Sequence, residues 1–139
     1  MIGKFNHVAI VVPDIDAART MYRDILGAQV SGVEDFPDHG VRVVFVELPN
    51  TTIELMTPLG EDSPVANFLA RNPVGGIHHI CLEVENIMEA RDRLRAEGVR
   101  ILGDGEPRPV PTASRSCSPI PRISAAPLSS SRKPRAGQD

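Results

Sequence analysis

Two stretches of the chain repeat the same order of apolar run, polar break, helical stripe and glycine. The first extends from His7 to Val30 and the second from His79 to Ile101, with an offset of 72 residues at the two histidines. Each stretch opens with an apolar run that is typical of a buried strand. Apolar residues at helical spacing follow, so the pattern predicts two copies of a strand–helix unit.

Polar residues before the helical stripes and glycines after them support these boundaries. Asp14 and Asn86 precede the stripes and can act as N-caps, and Glu89 completes a capping-box spacing with Asn86. Gly27 and Gly98 follow the stripes, where a left-handed residue is favoured. The residues predicted to face the core are Ile15, Ala18, Tyr22, Ile25 and Leu26 in the first helix, and Ile87, Ala90 and Leu94 in the second.

The segment between the two copies predicts further strands and one short helix. Residues 41–48 and 52–56 are strand-like runs on either side of a Pro-Asn turn, and another strand is expected around residues 29–33. Ser63 and Pro64 predict the N-cap and the first residue of a short helix. The first module is thus strand–helix–strand–strand with one additional short strand, and the fold class is α+β.

Residues 107–139 differ from the rest of the chain in composition. They hold seven of the 13 prolines, seven serines, six basic side chains and one acidic one, whereas residues 1–106 hold nine basic and 17 acidic ones. With so few large aliphatic residues, the segment cannot bury enough apolar surface to offset its chain entropy. We therefore expect one domain at residues 1–106, with module 1 at about 3–72 and an incomplete module 2 at about 75–106. The tail is expected to be disordered or non-native and to contain no strand.

Composition also narrows the cellular setting and the partners. The chain has no run of 18 apolar residues and no signal-peptide stretch at its N-terminus, so we expect a cytoplasmic protein without a membrane partner. The basic residues of the tail are scattered and lack aromatic neighbours, which argues against a nucleic-acid partner. Cys81 and Cys117 are too few for a disulfide framework, and we expect free thiols.

Each copy of the repeat opens with a histidine, His7 in the first and His79 in the second. A single histidine at the start of a buried strand is usually structural. A pseudo-symmetric pair can instead meet and bind one divalent metal through neutral imidazole nitrogens. Glu54 lies among apolar neighbours in a predicted strand, so its carboxylate either is paired or metal-bound, or faces solvent. His39 and His78 are interpreted as exposed or structural.

A set of short motifs is distributed over residues 3 to about 108. The motifs are His-Val-Ala-Ile-Val-Val-Pro-Asp at 7–14, Asp-His-Gly-Val at 38–41, Ile-Glu-Leu-Met at 53–56, Pro-Leu-Gly at 58–60, Asp-Ser-Pro at 62–64 and Gly-Gly-Ile-His-His-Ile at 75–80. Together they resemble the methylmalonyl-CoA epimerase family. That family belongs to the vicinal oxygen chelate group, with glyoxalase I and the extradiol dioxygenases.

This resemblance implies a glyoxalase-like fold of paired βαβββ modules around a divalent metal such as cobalt, manganese or zinc. It implies a homodimeric isomerase that acts on an acyl-CoA thioester and epimerises methylmalonyl-CoA at C2 through a metal-stabilised enolate. His7, His79 and Glu54 match metal-ligand positions, and Glu54 is also the catalytic candidate. The carboxylate base that some members carry after the Gly40 loop falls on Val43 in this chain.

The family's last ligand, a glutamate on the final strand, has no counterpart in the tail. With suitable synonymous codons, residues 124–134 in a neighbouring reading frame spell Phe-Cys-Gly-Thr-Leu-Val-Glu-Leu-Glu-Glu-Ala, which resembles the missing ending. The missing glutamate would overlap Ser130. We therefore hypothesise a frameshift, which predicts weak metal binding, low stability and impaired activity.

Other functions fit the same residues. The scaffold can carry a glyoxalase I-like or dioxygenase-type reaction, which turnover of a glutathione hemithioacetal would help to distinguish from epimerisation. It can also serve as a metal-free binding or resistance protein, which would bind no divalent metal on titration. In a further alternative, the tail is a natural disordered interaction segment.

Overall fold

The computed structural model describes residues 2–102, Glu106 and the backbone of residues 122–125. Two short irregular turns occur within this part of the chain, a π-helical turn at Met21–Ile25 directly after the first helix and a 3-10 turn at Pro37–His39. The regular elements are β1 (Ile2–Val11), α1 (Ile15–Thr20), β2 (Gln29–Val30), β3 (Glu34–Phe36), β4 (Val41–Glu47), β5 (Thr52–Pro58), α2 (Ala66–Arg71), β6 (Gly76–Val84), α3 (Ile87–Ala96) and β7 (Arg122–Ala125). The predicted α+β class is confirmed.

All the described strands form one sheet in the order β2-β4-β5-β1-β6-β7. Strand β3 belongs to the same sheet and pairs with β4, but it is not part of this linear order. The opening strands of the two repeats, β1 and β6, are adjacent and antiparallel, while β5 pairs with β1 in parallel. The first module therefore has the βαβββ order β1-α1-β2-β4-β5. Because β1 and β6 are neighbours, the start of each repeat lies near the start of the other.

The helix signals of the sequence are confirmed at both N-termini. The carboxylate of Asp14 accepts a hydrogen bond from the backbone N–H of Ala17 at 3.0 Å. The side chain of Asn86 accepts from the N–H groups of Met88 and Glu89 at 3.0 and 3.2 Å. These caps satisfy N–H groups that have no partner within the helix.

Two helix details differ from the sequence expectation. The first helix ends in a π-helical turn, closed by an N–H of Leu26 that donates to the carbonyl of Met21 at 3.0 Å. This wider turn rotates Ile25 and Leu26 away from the sheet, and they are 77% and 63% exposed instead of buried. The short helix α2 begins at Ala66, two residues after the predicted start.

The sheet has a core on each face. Helix α1 covers one face, where Ile15, Val44, Val46 and Leu55 are buried and Ala18 and Tyr22 pack against them. The other face buries a second cluster, formed by Ala9, Val11, Val41, Val43, Phe45, Met56 and Val65. No helix in the described part of the chain is long and apolar enough to cross a membrane.

The expectation that residues 107–139 contain no strand is wrong for Arg122–Ala125. These residues form β7, which pairs antiparallel with β6 and places Ser124 beside Cys81. Repeat symmetry would place a parallel strand there, since β5 runs parallel to β1. Edge strands with unpaired backbone groups readily accept any extended segment, which explains how a tail of poor strand composition can pair. Residues 107–121 and 126–139, with Cys117 and Ser130, lie outside the described residues, so the other expectations for the tail stay predictions.

Candidate metal centre

The three residues singled out as metal ligands lie on three adjacent strands. His7 is on β1, Glu54 on β5 and His79 on β6. The register pairs Ala9 with Glu54 on one side and with His79 on the other. Paired residues of neighbouring strands point to the same face of a sheet, as do residues two apart on one strand. The three side chains therefore share the face opposite α1.

The ligand atoms of these residues converge. His7 Nε2 lies 3.1 Å from Glu54 Oε2 and 3.3 Å from His79 Nε2. One ligand atom from each of the three residues lies within 4.8 Å of the other two. The side chains of His7 and Glu54 are only 9% and 12% exposed. Two imidazoles and a carboxylate are thus held together in a largely water-excluded position.

The donor set fits a divalent metal ion. Two ligand atoms bound at about 2.1 Å and separated by a tetrahedral or octahedral angle are about 3.0–3.4 Å apart. The two short separations at His7 Nε2 fall in this range. Imidazole nitrogen and carboxylate oxygen are the ligands that cobalt, manganese and zinc accept. A proton on His7 Nε2, donated to Glu54, is the metal-free arrangement that the same contacts allow.

Burial keeps the second histidine neutral at physiological pH. Burial, together with a smaller effect of the neighbouring His78 as a second potential positive charge, lowers the pKa of His79 to about 4. Burial also lowers the pKa of His78. A neutral imidazole is the form that binds metal, because protonation removes the lone pair.

The low pKa of His79 makes the metal-free protein less stable in mild acid. As pH falls from the ordinary 6.5 towards the folded value of about 4, the unfolded chain takes up a proton that folded His79 does not. We expect the free energy of unfolding to fall over this interval, and His79→Asn to flatten that part of the profile. Urea denaturation at a series of pH values measures this slope. Exposed His39→Asn is the control, and equal slopes for the two variants would contradict the prediction.

Ala9 lies beneath the cluster between Glu54 and His79 and is fully buried. A larger side chain at this position has to enter the space between the ligands. We expect Ala9→Leu to weaken Co²⁺ binding at least tenfold, at an overpacking cost of about 1–3 kcal/mol in stability. Isothermal titration calorimetry on the folded variant measures this. Unchanged Co²⁺ affinity would show that the ion does not lie over Ala9.

The sequence analysis missed two polar neighbours of the cluster. Asn6 Oδ1 lies 2.8 Å from His7 Nδ1, and His78 Nδ1 lies 2.8 Å from His79 Nδ1. His78 was expected to be exposed or structural, but its ring contacts a candidate ligand directly. The signal was present in the repeat, since a polar residue directly precedes the histidine in each copy. Val43, by contrast, is a buried core residue and offers no titratable group at the family's base position.

Comparison with known proteins identifies the relatives of this chain. A family model described as the glyoxalase/bleomycin resistance protein/dioxygenase superfamily matches residues 6–117. The chain is 63% identical over 108 residues to the ethylmalonyl-CoA/methylmalonyl-CoA epimerase of Cereibacter sphaeroides. The matched region covers 78% of this chain and 81% of the relative. It is 53% identical over 103 residues to the mitochondrial methylmalonyl-CoA epimerase of Mus musculus, and it spans 58% of the length of that protein.

The structural comparison agrees with these relatives. A variant of the Streptomyces coelicolor methylmalonyl-CoA epimerase, solved in complex with 2-nitronate-propionyl-CoA, has a TM-score of 0.71 to this structure. The two chains are 30% identical, and the match covers 79% of each. The family match, the sequence identity and the shared fold confirm the resemblance found in the motifs. The chain belongs to the glyoxalase/bleomycin resistance protein/dioxygenase superfamily.

Proposed function

We propose that this protein is a metal-dependent epimerase that inverts the configuration at C2 of methylmalonyl-CoA. The observation that carries the proposal is the convergence of His7, Glu54 and His79 within 4.8 Å on the central strands. The relatives that share most of this chain's sequence are named for the same reaction. The Streptomyces relative holds an acyl-CoA analogue, which supports an acyl-CoA thioester as the substrate.

In this proposal, His7, His79 and Glu54 hold one divalent ion. When bound, the ion supplies a Lewis acid that stabilises the negative charge developing on the substrate when the C2 proton leaves. The protein contributes two imidazole nitrogens and a carboxylate in a site that excludes most water. Exclusion of water strengthens every electrostatic interaction with the developing charge.

Glu54 is the proton acceptor in this proposal. Epimerisation requires one proton to leave C2 and another to return on the opposite face, so a base is needed on one face and an acid on the other. This proposal assigns the role of the base to Glu54. Oε2 of Glu54 lies 3.1 Å from His7 Nε2, so the carboxylate is held beside the position of the proposed ion. Val43 is apolar and cannot accept one.

The same proposal includes a cytoplasmic homodimer. Support for self-association comes from large apolar side chains that are exposed on the adjacent strands β1 and β6, namely Ile2, Phe5 and Ile77. Exposed apolar surface of this kind is typical of protein contacts. Light scattering on the purified protein measures the oligomeric state, and a monomer at micromolar concentration would contradict this part of the proposal.

Exchange of the C2 hydrogen tests the proposed activity. Methylmalonyl-CoA is incubated in D₂O with the protein after EDTA treatment, and then after addition of Co²⁺, Mn²⁺ or Zn²⁺. We expect deuterium to be incorporated at C2 only when metal is present, and proton NMR measures this incorporation. The rate should be below that of the Cereibacter relative measured in parallel. Absence of exchange in the folded, metal-loaded protein would contradict the proposal. Turnover of a glutathione hemithioacetal instead would identify a glyoxalase-type reaction.

A further inference from the structure

We infer that Asn6 and His78 are positioning residues that fix the tautomers of His7 and His79, so that the Nε2 atom of each ring is left to bind the metal. This inference rests on the proposed function, because it concerns how the two histidines are prepared to bind an ion. A neutral imidazole has one protonated and one bare nitrogen, and only the bare nitrogen binds a metal. The partner of the other nitrogen determines which tautomer is present.

The contact of Asn6 determines the tautomer of His7. The side-chain N–H of Asn6 donates to Glu83 Oε1 at 2.9 Å, and a carboxylate oxygen only accepts. This bond orients the Asn6 amide so that its oxygen faces His7 Nδ1 at 2.8 Å. Because the amide oxygen is an acceptor, Nδ1 of His7 carries the proton. In the metal-bound state, Nε2 of His7 can then offer its lone pair to an ion held between Glu54 and His79.

The contact of His78 supplies the matching interaction for His79. Nδ1 of His78 lies 2.8 Å from Nδ1 of His79, and one of the two atoms donates to the other. When His79 donates, its Nε2 is bare and faces His7 Nε2 at 3.3 Å. The His78 ring is held in place by an edge contact with Phe68, with centroids 5.2 Å apart. The inference assigns the acceptor role in this hydrogen bond to His78 and the donor role to His79.

Repeat symmetry relates the two positioning residues. Asn6 and His78 each directly precede a histidine, and both pairs share the offset of 72 residues. The two Nδ1 contacts have the same length, 2.8 Å. The two copies of the module thus place a polar side-chain atom at Nδ1 of each ligand ring. A partner of this kind typically strengthens metal binding by a factor of about 10–100.

Histidine tautomers are measured directly by NMR on protein that is labelled with ¹⁵N-histidine and loaded with diamagnetic Zn²⁺, and the chain has only four histidines. We expect His7 in the zinc-loaded wild type to carry its proton on Nδ1, and this tautomer to be less populated in Asn6→Ala. Asn50→Ala, at an exposed turn residue, should leave the spectrum unchanged. An unchanged His7 tautomer in folded Asn6→Ala would overturn the inference.

Co²⁺ titration of the same variants measures the consequence. We expect Asn6→Ala and His78→Ala to weaken Co²⁺ binding about 10–100-fold. Asn6→Asp and His78→Asn keep an acceptor oxygen near the ring and should recover most of the affinity. A purely structural role would not produce this recovery. If the wild type binds Co²⁺ and both alanine variants bind it with the same affinity, the inference is overturned and the proposed function is not affected. If the wild type binds no Co²⁺, the proposed function is overturned as well.

Discussion

Glu54→Gln is expected to lower the kcat of methylmalonyl-CoA epimerisation by roughly 10²–10⁴-fold while a metal ion stays bound. Glutamine keeps a side-chain oxygen that can bind an ion, but it cannot accept the C2 proton. The side chain of Glu54 is only 12% exposed and lies 3.1 Å from His7, so water has little access to replace it as the proton acceptor. Steady-state kinetics and Co²⁺ titration on the same preparation separate the two roles.

The matched control is Glu97→Gln, which removes an exposed carboxylate directly after the C-terminal end of α3. It should leave kcat unchanged, because Glu97 lies outside β1, β5 and β6, the strands that carry the three candidate ligands. Glu54→Ala removes both the oxygen ligand and the proton acceptor, so it should weaken Co²⁺ binding as well. If Glu54→Gln retained full kcat, Glu54 would be a ligand only and the base would be another residue.

Replacing residues 107–139 with the C-terminal segment of the Cereibacter relative is expected to raise both stability and epimerase activity. Among the residues that the structure describes, β6 pairs on its outer side with the four-residue antiparallel strand β7 alone. Glu54 pairs with Ala9 in the first module, and the repeat offset of 72 residues relates Ala9 to Cys81. Cys81 pairs with Ser124, which has no carboxylate. A complete second module would supply the missing strands and a further carboxylate ligand.

The gain in stability is expected to be large. Each large apolar side chain that becomes fully buried contributes about 1.5–3 kcal/mol, and a gain of 1 kcal/mol raises Tm by about 2–8 °C in a domain of this size. Burial of a few such residues should therefore raise Tm by at least about 10 °C, measured by calorimetry, and kcat/KM should rise at least tenfold.

A chain truncated after Glu106 separates the contribution of the existing tail from that of the replacement. If β7 protects the edge of β6, the truncated chain should melt below the wild type. An exchanged chain with the Tm and kcat/KM of the wild type would show that the present tail already completes the fold. That outcome would contradict the frameshift hypothesis.

The architecture was predictable where the chain repeats itself. The offset between His7 and His79, the caps Asp14 and Asn86 and the apolar runs all specify local structure that both copies share. Because each copy opens with a strand, adjacent pairing of β1 and β6 brings the two histidines together. The position of Glu54 followed from strand alternation, although alternation alone left a solvent-facing carboxylate equally open.

The remaining features depend on tertiary contacts that a pattern of residues does not encode. The π-helical turn at Met21–Ile25, which is closed by the hydrogen bond from Leu26 N–H to the Met21 carbonyl, leaves Ile25 and Leu26 exposed. Strand β7 forms because β6 offers unpaired backbone groups, not because its own residues favour a strand. The contact between His78 and His79 joins consecutive residues whose side chains normally point to opposite faces of a strand, so strand alternation argued against it.

X-ray absorption spectroscopy on the cobalt-loaded protein tests most directly whether His7, Glu54 and His79 bind one ion. The account predicts one cobalt per chain, with multiple-scattering features of two imidazole rings and additional oxygen ligands. His79→Ala should reduce the number of imidazoles to one. A wild-type protein that retains no cobalt, or cobalt bound by fewer than two imidazoles, would contradict the account.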